Sequence, residues 1–347
     1  MAYTTIPKSS DYFNTKLYTG NGGTQTITGV GFQSDFTWFK SRSAGNSHSL
    51  LDSVRGLGYA LSSNLSGAEI PIATQTFNSD GYVLTHDGGA PSLNPNGVTT
   101  VAWNWKAGTA VSGSTTGSGT AKTYTGSVNT TSGFSIIKYT GNGTAGHTIP
   151  HHLGAVPKMI ITKRLDSTTD WMTYHSSLAN TQKVALNSSG AVSTSGSVWN
   201  STTPTNSVFA VGTSADTNNN NSNIIAYCFA EKQGYSKFGS YTGNGNADGT
   251  FVYTGFKPAF MMIKITSGTS NWRLFDNKRL GYNVDNNPLY PNVNNAEGTE
   301  DNIDILSNGF KWRTTDGALN GSGSSYIYMA FAEAPLVGTN NVPCTAR

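Results

Sequence analysis

One pentapeptide occurs three times in this chain, and each time it opens the same series of features. Tyr18-Thr19-Gly20-Asn21-Gly22 recurs as Tyr139-Thr140-Gly141-Asn142-Gly143 and as Tyr241-Thr242-Gly243-Asn244-Gly245. An apolar run ending in lysine follows, with Lys40, Lys163 and Lys264 lying 22, 24 and 23 residues after the opening tyrosine. Asp52, His175 and Asp276 come at 34, 36 and 35, and an aromatic strand end, Trp105, Phe229 or Phe331, at 87, 90 and 90. Three such spacings held over roughly 90 residues mark an internal repeat, and a repeat constrains the fold more than composition does.

The closing stretch gives the local structure. Val101, Trp103 and Trp105 alternate with smaller or polar residues, as do Ile225, Tyr227 and Phe229, and Ile327, Met329 and Phe331. Period two is the period of a strand. The facing side is mostly small, so a second layer can lie close against it. No helical period of comparable length occurs. The expected fold is all-β: tandem β-sandwich or jelly-roll-like units in three diverged repeats. Glycine is frequent, 40 residues in 347, as many tight turns require.

The implied organisation is a first β unit with an N-terminal arm over 1–108, then a linker over 109–131. A second unit follows over 132–235, a third over 236–336 and a C-terminal tail over 337–347. The 109–131 stretch reads as a linker because it is dominated by Gly, Ser, Thr and Ala, with Tyr124 its one large apolar residue. The stretch Asp216 to Asn221 reads as a polar loop tip.

Charged residues are only 12% of the chain and the net charge is +3, too small and scattered for a nucleic-acid partner. No run of 18 apolar residues occurs, so no spanning helix and no membrane insertion is expected. The N-terminal residues lack the apolar core of a signal peptide. Cys228 and Cys344 are too few and too far apart for a disulfide framework or metal site and are expected to be free thiols.

Candidate chemistry is sparse, and the expectation is a protein without catalytic residues, cofactor or bound metal. The glycines of the pentapeptide lack the third glycine, the helix and the acidic residue of a dinucleotide loop, so an Asn-Gly turn is the reading. His147, His151 and His152 cluster without a local carboxylate or thiolate, and His151 and His152 stand as possible surface contacts. Asp52 with Arg55, and Asp276 with Arg279, form a D-x-x-R pair that His175 and Leu178 replace in the second copy. One carboxylate and one cation suit a structural ion pair, whereas glycoside hydrolysis needs two facing carboxylates. Glu300, Asp301 and Asp304 are acidic neighbours without the ligand spacing of a calcium loop. Trp199 and Trp312 sit among polar residues and are the tryptophans to consider for ligand stacking, with core packing the competing reading.

The third copy carries further motifs: Gly255-Phe256-Lys257-Pro258-Ala259-Phe260 running to Lys264, Leu306-Ser307-Asn308-Gly309-Phe310, and Tyr326 to Glu333. The first copy has Gly31-Phe32-Gln33-Ser34-Asp35-Phe36 at the equivalent place, and the second departs with Leu153-Gly154-Ala155-Val156-Pro157. The whole series resembles an uncharacterised repeat domain of virion proteins from marine bacteriophages, cyanophages among them, often labelled tail fibre. That resemblance implies a phage structural protein on the outer surface of the particle, made in the host cytoplasm without a signal peptide. Its expected partners are other virion proteins and its own copies, a homotrimer being favoured, with a host surface glycan or protein as a further one. Host attachment and decoration of the capsid or tail are the two roles it allows. It supplies no catalytic or ligand-binding residue to carry over.

Overall fold

A computed structural model describes residues 3–86, 88, 93–279, 283, 286–339 and 342. The chain is nearly all β, in antiparallel sheets, and its helices are single short turns. One strand order occurs in three places. In the first segment the opening strand Phe13–Thr19 pairs with the closing strand Thr99–Trp105, which pairs with Phe36–Ser41, which pairs with Ser49–Asp52. Phe134–Thr140, Asn223–Ala230, Pro157–Arg164 and Met172–His175 have the same order in the second segment. Ser236–Thr242, Ser325–Pro335, Phe256–Ile265 and Arg273–Asp276 have it in the third.

Each four-strand set is covered on one side by a three-stranded sheet, giving a sandwich. Thr24–Thr28, Gly81–Thr85 and Thr76–Asn78 form the cover in the first segment, and Phe251–Tyr253, Gly309–Trp312 and Ile303–Leu306 in the third. The second cover pairs His147–Pro150 with Val208–Val211 and borrows Thr116–Gly117 from the preceding stretch.

The alternation of the closing strands decides what packs where. Ala102, then Ile224, Ala226 and Cys228, then Tyr326, Tyr328 and Ala330 face the core of their own sandwich. The bulky set, from Val101 through Tyr227 to Phe331, turns the other way into one apolar cluster shared by all three segments. At its centre Trp105, Phe229 and Phe331 meet, with ring centroids 6.4 Å apart for Trp105 and Phe229, 5.6 Å for Trp105 and Phe331, and 6.0 Å for Phe229 and Phe331. Phe36 of the first segment stacks on Tyr227 of the second at 4.4 Å, and Phe13 on Phe331 of the third at 5.2 Å. The sheet faces that two-layer packing leaves bare are thus buried against one another.

The 109–131 stretch, read from the sequence as a linker, is pleated. Thr109–Ser114 pairs with Thr123–Asn129, which pairs with Phe134–Thr140, so the second sheet gains two strands at its edge. Its residues need no apolar alternation because the outermost strand is exposed on both faces. Cys228 is a buried free thiol, and Cys344 lies outside the described residues.

Candidate functional site

The recurring pentapeptide closes a clamp. In each segment its tyrosine hydroxyl donates to a carbonyl just before the closing strand: Tyr18 to Leu93, Tyr139 to Thr217 and Tyr241 to Leu319, at 2.5, 2.6 and 2.7 Å. The next residue along is a buried asparagine, Asn94, Asn218 or Asn320, whose Oδ1 accepts the backbone N–H of Asn21, Asn142 or Asn244. The first glycine lets the two loops touch. A β-carbon at Gly20, Gly141 or Gly243 would run into the carbonyl oxygen of Pro95, Asn219 or Gly321. The second glycine turns the chain at φ of 71°, 73° and 68° in Gly22, Gly143 and Gly245. The motif therefore serves folding, and Asp216 to Asn221, read as a loop tip, contains the fully buried Asn218.

A second constellation joins the segments. Arg55 Nε donates to Asp52 Oδ2 at 2.6 Å and its Nη2 to the Leu50 carbonyl, while Glu69 lies 3.4 Å from Nη1. Arg279 does the same with Asp276 at 2.7 Å, the Leu274 carbonyl and Glu297 at 3.4 Å. In the second segment the corresponding residues are His175, Leu178 and Val192, the last placed by its bond to Thr266 as Glu69 is by Leu165 and Glu297 by Arg42. Two segments thus hold an Asp–Arg–Glu triad, and one holds an uncharged trio packed against the shared core.

The strand-ending residue of this set works in two directions. Toward its own turn, Asp52 Oδ1 accepts the N–H of Val54 and Arg55, and Asp276 Oδ1 that of Lys278 and Arg279, while His175 Nδ1 accepts that of Ser177. Toward the neighbouring segment, Asp52 Oδ2 accepts the Tyr227 hydroxyl at 2.8 Å and Asp276 Oδ2 the Trp103 indole at 3.0 Å. His175 instead donates from Nε2 to the Tyr328 carbonyl at 3.1 Å. The residue aligned with Trp103 and Tyr227 is Met329, which has no donor. A carboxylate there would be buried unpaired, so a neutral imidazole stands in, and with no carboxylate to balance, leucine replaces arginine. Burial opposes the charge of Arg55, but Asp52, Tyr227 and Glu69 outweigh it and raise its pKa. Burial holds His175 neutral, with its pKa pushed down to about 4.

The first residue of the same fourth-strand region reaches the other way around the ring. Trp171 Nε1 donates to the Ser62 carbonyl, Trp272 Nε1 to that of Ala185, and His48 Nε2 to that of Tyr290, at 3.0, 3.0 and 2.8 Å. Each donor's own N–H is held by an asparagine, Asn187, Asn292 or Asn64 respectively. The recurring lysines are buried as well. Lys40 donates to the Ser41 and Asn294 carbonyls, Lys163 to those of Arg164 and Ser167, and Lys264 to those of Ser189 and Ser270. Desolvation lowers all three to about 8.

The residues considered for surface contacts fall mostly inside. Trp199 and Trp312 are 1% and 0% exposed: the former packs on Tyr174 and the latter between Phe275 and Phe310. His151 is buried, accepting the Leu153 N–H and facing the Thr205 carbonyl. Their polar sequence surroundings belong to loops that fold over them. His152 is half-buried at φ 59° and bonds the Tyr124 hydroxyl at 2.7 Å. His147 points elsewhere, to Asn218 and Thr115. Glu300 bonds Asn302, and Asp304 pairs with Arg313. Among the described residues no three of His, Cys, Asp and Glu are grouped to hold a metal.

The surface does carry one polar cleft with an exposed aromatic. It lies where the N-terminal arm crosses the third segment, encloses about 300 Å³, and is lined by Tyr3, Glu231, Gln233, Lys237, Tyr253 and Thr254 among others. Tyr253 is 52% exposed. Tyr3 donates to the Gly255 carbonyl at 2.7 Å, and burial beside Tyr253 pushes its pKa up to about 12. Lys237 and Glu231 pair at 2.9 Å across the floor. No sequence pattern announces this cleft, since its residues come from three places brought together by the fold.

The chain belongs to a family described as a domain of unknown function, DUF7483, whose model matches residues 8–335. The match covers all three segments as one domain. No curated protein and no solved structure matches the chain.

Proposed function

We propose that this chain is a non-enzymatic structural protein on the outside of a bacteriophage particle, a tail-fibre component that attaches to the host surface through sugars. The observation that carries the reading is where the reactive groups lie. The recurring Asp, Arg, His and Lys residues are spent inside, on turns and on contacts between segments, whereas the exposed cleft offers Tyr253 beside a carboxylate, an amide and an ammonium group. A tyrosine presents an apolar face and a polar tip, and such a face with a few convergent polar groups suits a sugar ring. Weak single contacts would gain strength from many copies on one particle.

Retention of the purified protein on host cells or a glycan array tests this. Binding that is lost in Tyr253→Ala with an unchanged melting temperature supports the reading. Absence of retention by the assembled protein counts against it. The second reading, a decoration protein that stabilises the capsid or tail, is favoured by the closed three-way core, which joins the three segments into one body. Particle imaging that places the protein only at the tail tip would exclude that role. A homotrimer is not needed to bury the bulky sheet faces, since the chain buries them within itself.

A further inference from the structure

The strand Thr109–Ser114 breaks the likeness between the segments. The first and third sheets end at their opening strands, Phe13–Thr19 and Ser236–Thr242. The second extends two strands further, and Thr109–Ser114 is its last strand, hydrogen-bonded to Thr123–Asn129 on one side only. The added hairpin is held firmly. Gly108 N–H donates to Ser127 Oγ, Asn129 Nδ2 to the Ala107 carbonyl, and Thr115 Oγ1 meets His147 Nε2 at 2.6 Å. The shared core closes without the hairpin: Tyr124, Val128 and Val111 pack in the second sandwich instead.

An edge strand offers a row of free N–H and C=O groups, and proteins usually blunt such edges with charge, proline or a bulge. The two other ring edges carry lysine, Lys16 and Lys237. The opening strand of the second segment carries a lysine too, Lys138, at another register, but there the hairpin covers the strand, with Lys138 opposite Thr125. The new edge has no such guard. From Thr109 to Ala121 there is no charged residue and no proline, and five of the six residues of Thr109–Ser114 are exposed.

We propose that Thr109–Ser114 is an assembly edge that pairs antiparallel with the same strand of a second copy of this chain, joining the extended sheets of the two copies across a two-fold axis. A two-fold contact sets a patch against itself. Self-pairing at Phe13–Thr19 or Ser236–Thr242 would bring lysine toward its own copy. A neutral Thr-Ala-Val-Ser-Gly-Ser strand carries no like charge to repel itself, so it is the ring edge suited to a copy of itself. The pairing is two-fold, unlike the trimer that the family likeness favours, and it does not depend on sugar binding.

Sedimentation equilibrium of the full chain over a wide micromolar range tests it. The wild type should fit a monomer–dimer equilibrium. Ser112→Lys and Ser112→Glu, each at an exposed site, should separately weaken the dimer at least ten-fold while keeping the wild-type melting temperature. Mixing the two variants should restore association, since opposite charges then face across the edge, and a fold defect could not be rescued that way. A chain monomeric throughout, or a dimer that neither variant weakens, would overturn the proposal, and capture of an extended peptide by a monomeric chain would do so too.

Discussion

Asp276 accepts a hydrogen bond from the indole of Trp103, 173 positions earlier, at 3.0 Å, with both groups buried. The bond ties the third segment to the first, as Asp52 with Tyr227 ties the first to the second and His175 with Tyr328 the second to the third. The strand-ending residue of each segment reaches the next segment around a ring, but the donor changes side: the second segment donates to both neighbours, the third accepts from both, and the first does one of each. Consequences for stability follow from the chemistry at each junction.

Removing the cation from a triad strands the carboxylate beside it. Arg279→Leu leaves Asp276 buried without a cation, while Glu297 keeps Arg42 at 2.6 Å, and should cost about 3–5 kcal/mol. Removing an exposed surface Lys or Arg should cost far less. Urea unfolding should show a lowered midpoint with an unchanged slope.

The junction between the second and third segments should reject a carboxylate. His175→Asp places an acceptor against the Tyr328 carbonyl, with no donor from Met329, and should lower the melting temperature sharply. His175→Asp combined with Leu178→Arg should recover part of the loss, because the charge then has a partner. A double-mutant cycle measures that recovery.

Three histidines make acid destabilising. Burial holds His48 at about 3 and His151 and His175 at about 4, against an ordinary 6.5. The unfolded chain therefore binds more protons than the native one between these values and 6.5. The stability they contribute is fully present above pH 6.5 and is lost as pH falls toward 4 for His151 and His175 and toward 3 for His48, by about 1.4 kcal/mol per pH unit for each histidine. Chemical denaturation at a series of pH values should show this slope, and His175→Gln should flatten it by one histidine's share.

Gly141→Ala should destabilise without touching the shared core. Its β-carbon would meet the Asn219 carbonyl and push the clamp apart, at a cost of about 1–3 kcal/mol. Calorimetry would read this as a lowered melting temperature with the far-ultraviolet spectrum retained.

The closing strands were legible because period-two alternation is local: Val101, Trp103 and Trp105 announce a face by themselves. The pentapeptide was legible as a turn, but its partners Asn94, Asn218 and Asn320 were not, since they sit more than 70 positions away in polar loops. Glu69 and Glu297 lie only 14 and 18 positions beyond Arg55 and Arg279 but escaped because they stand in loops without periodicity, and without them the Asp/Arg pairs looked like isolated ion pairs. Trp199 and Trp312 misled because neighbours in sequence are polar while neighbours in space are Tyr174, Phe275 and Phe310. The strands within 109–131 were hidden because the outermost of them buries neither face and the next is built mostly from small polar residues. The cleft at Tyr253 has no sequence signature at all.

Three segments that share one core should stand or fall together. Fluorine NMR of the chain labelled with 5-fluorotryptophan tests it directly, because its seven tryptophans are spread over all three segments. Along a urea titration the account predicts that every native resonance is lost on one common curve, and that Phe331→Ala shifts all of them to lower urea together. Resonances of Trp272 and Trp312 disappearing on a separate curve from those of Trp38, Trp103 and Trp105 would contradict it.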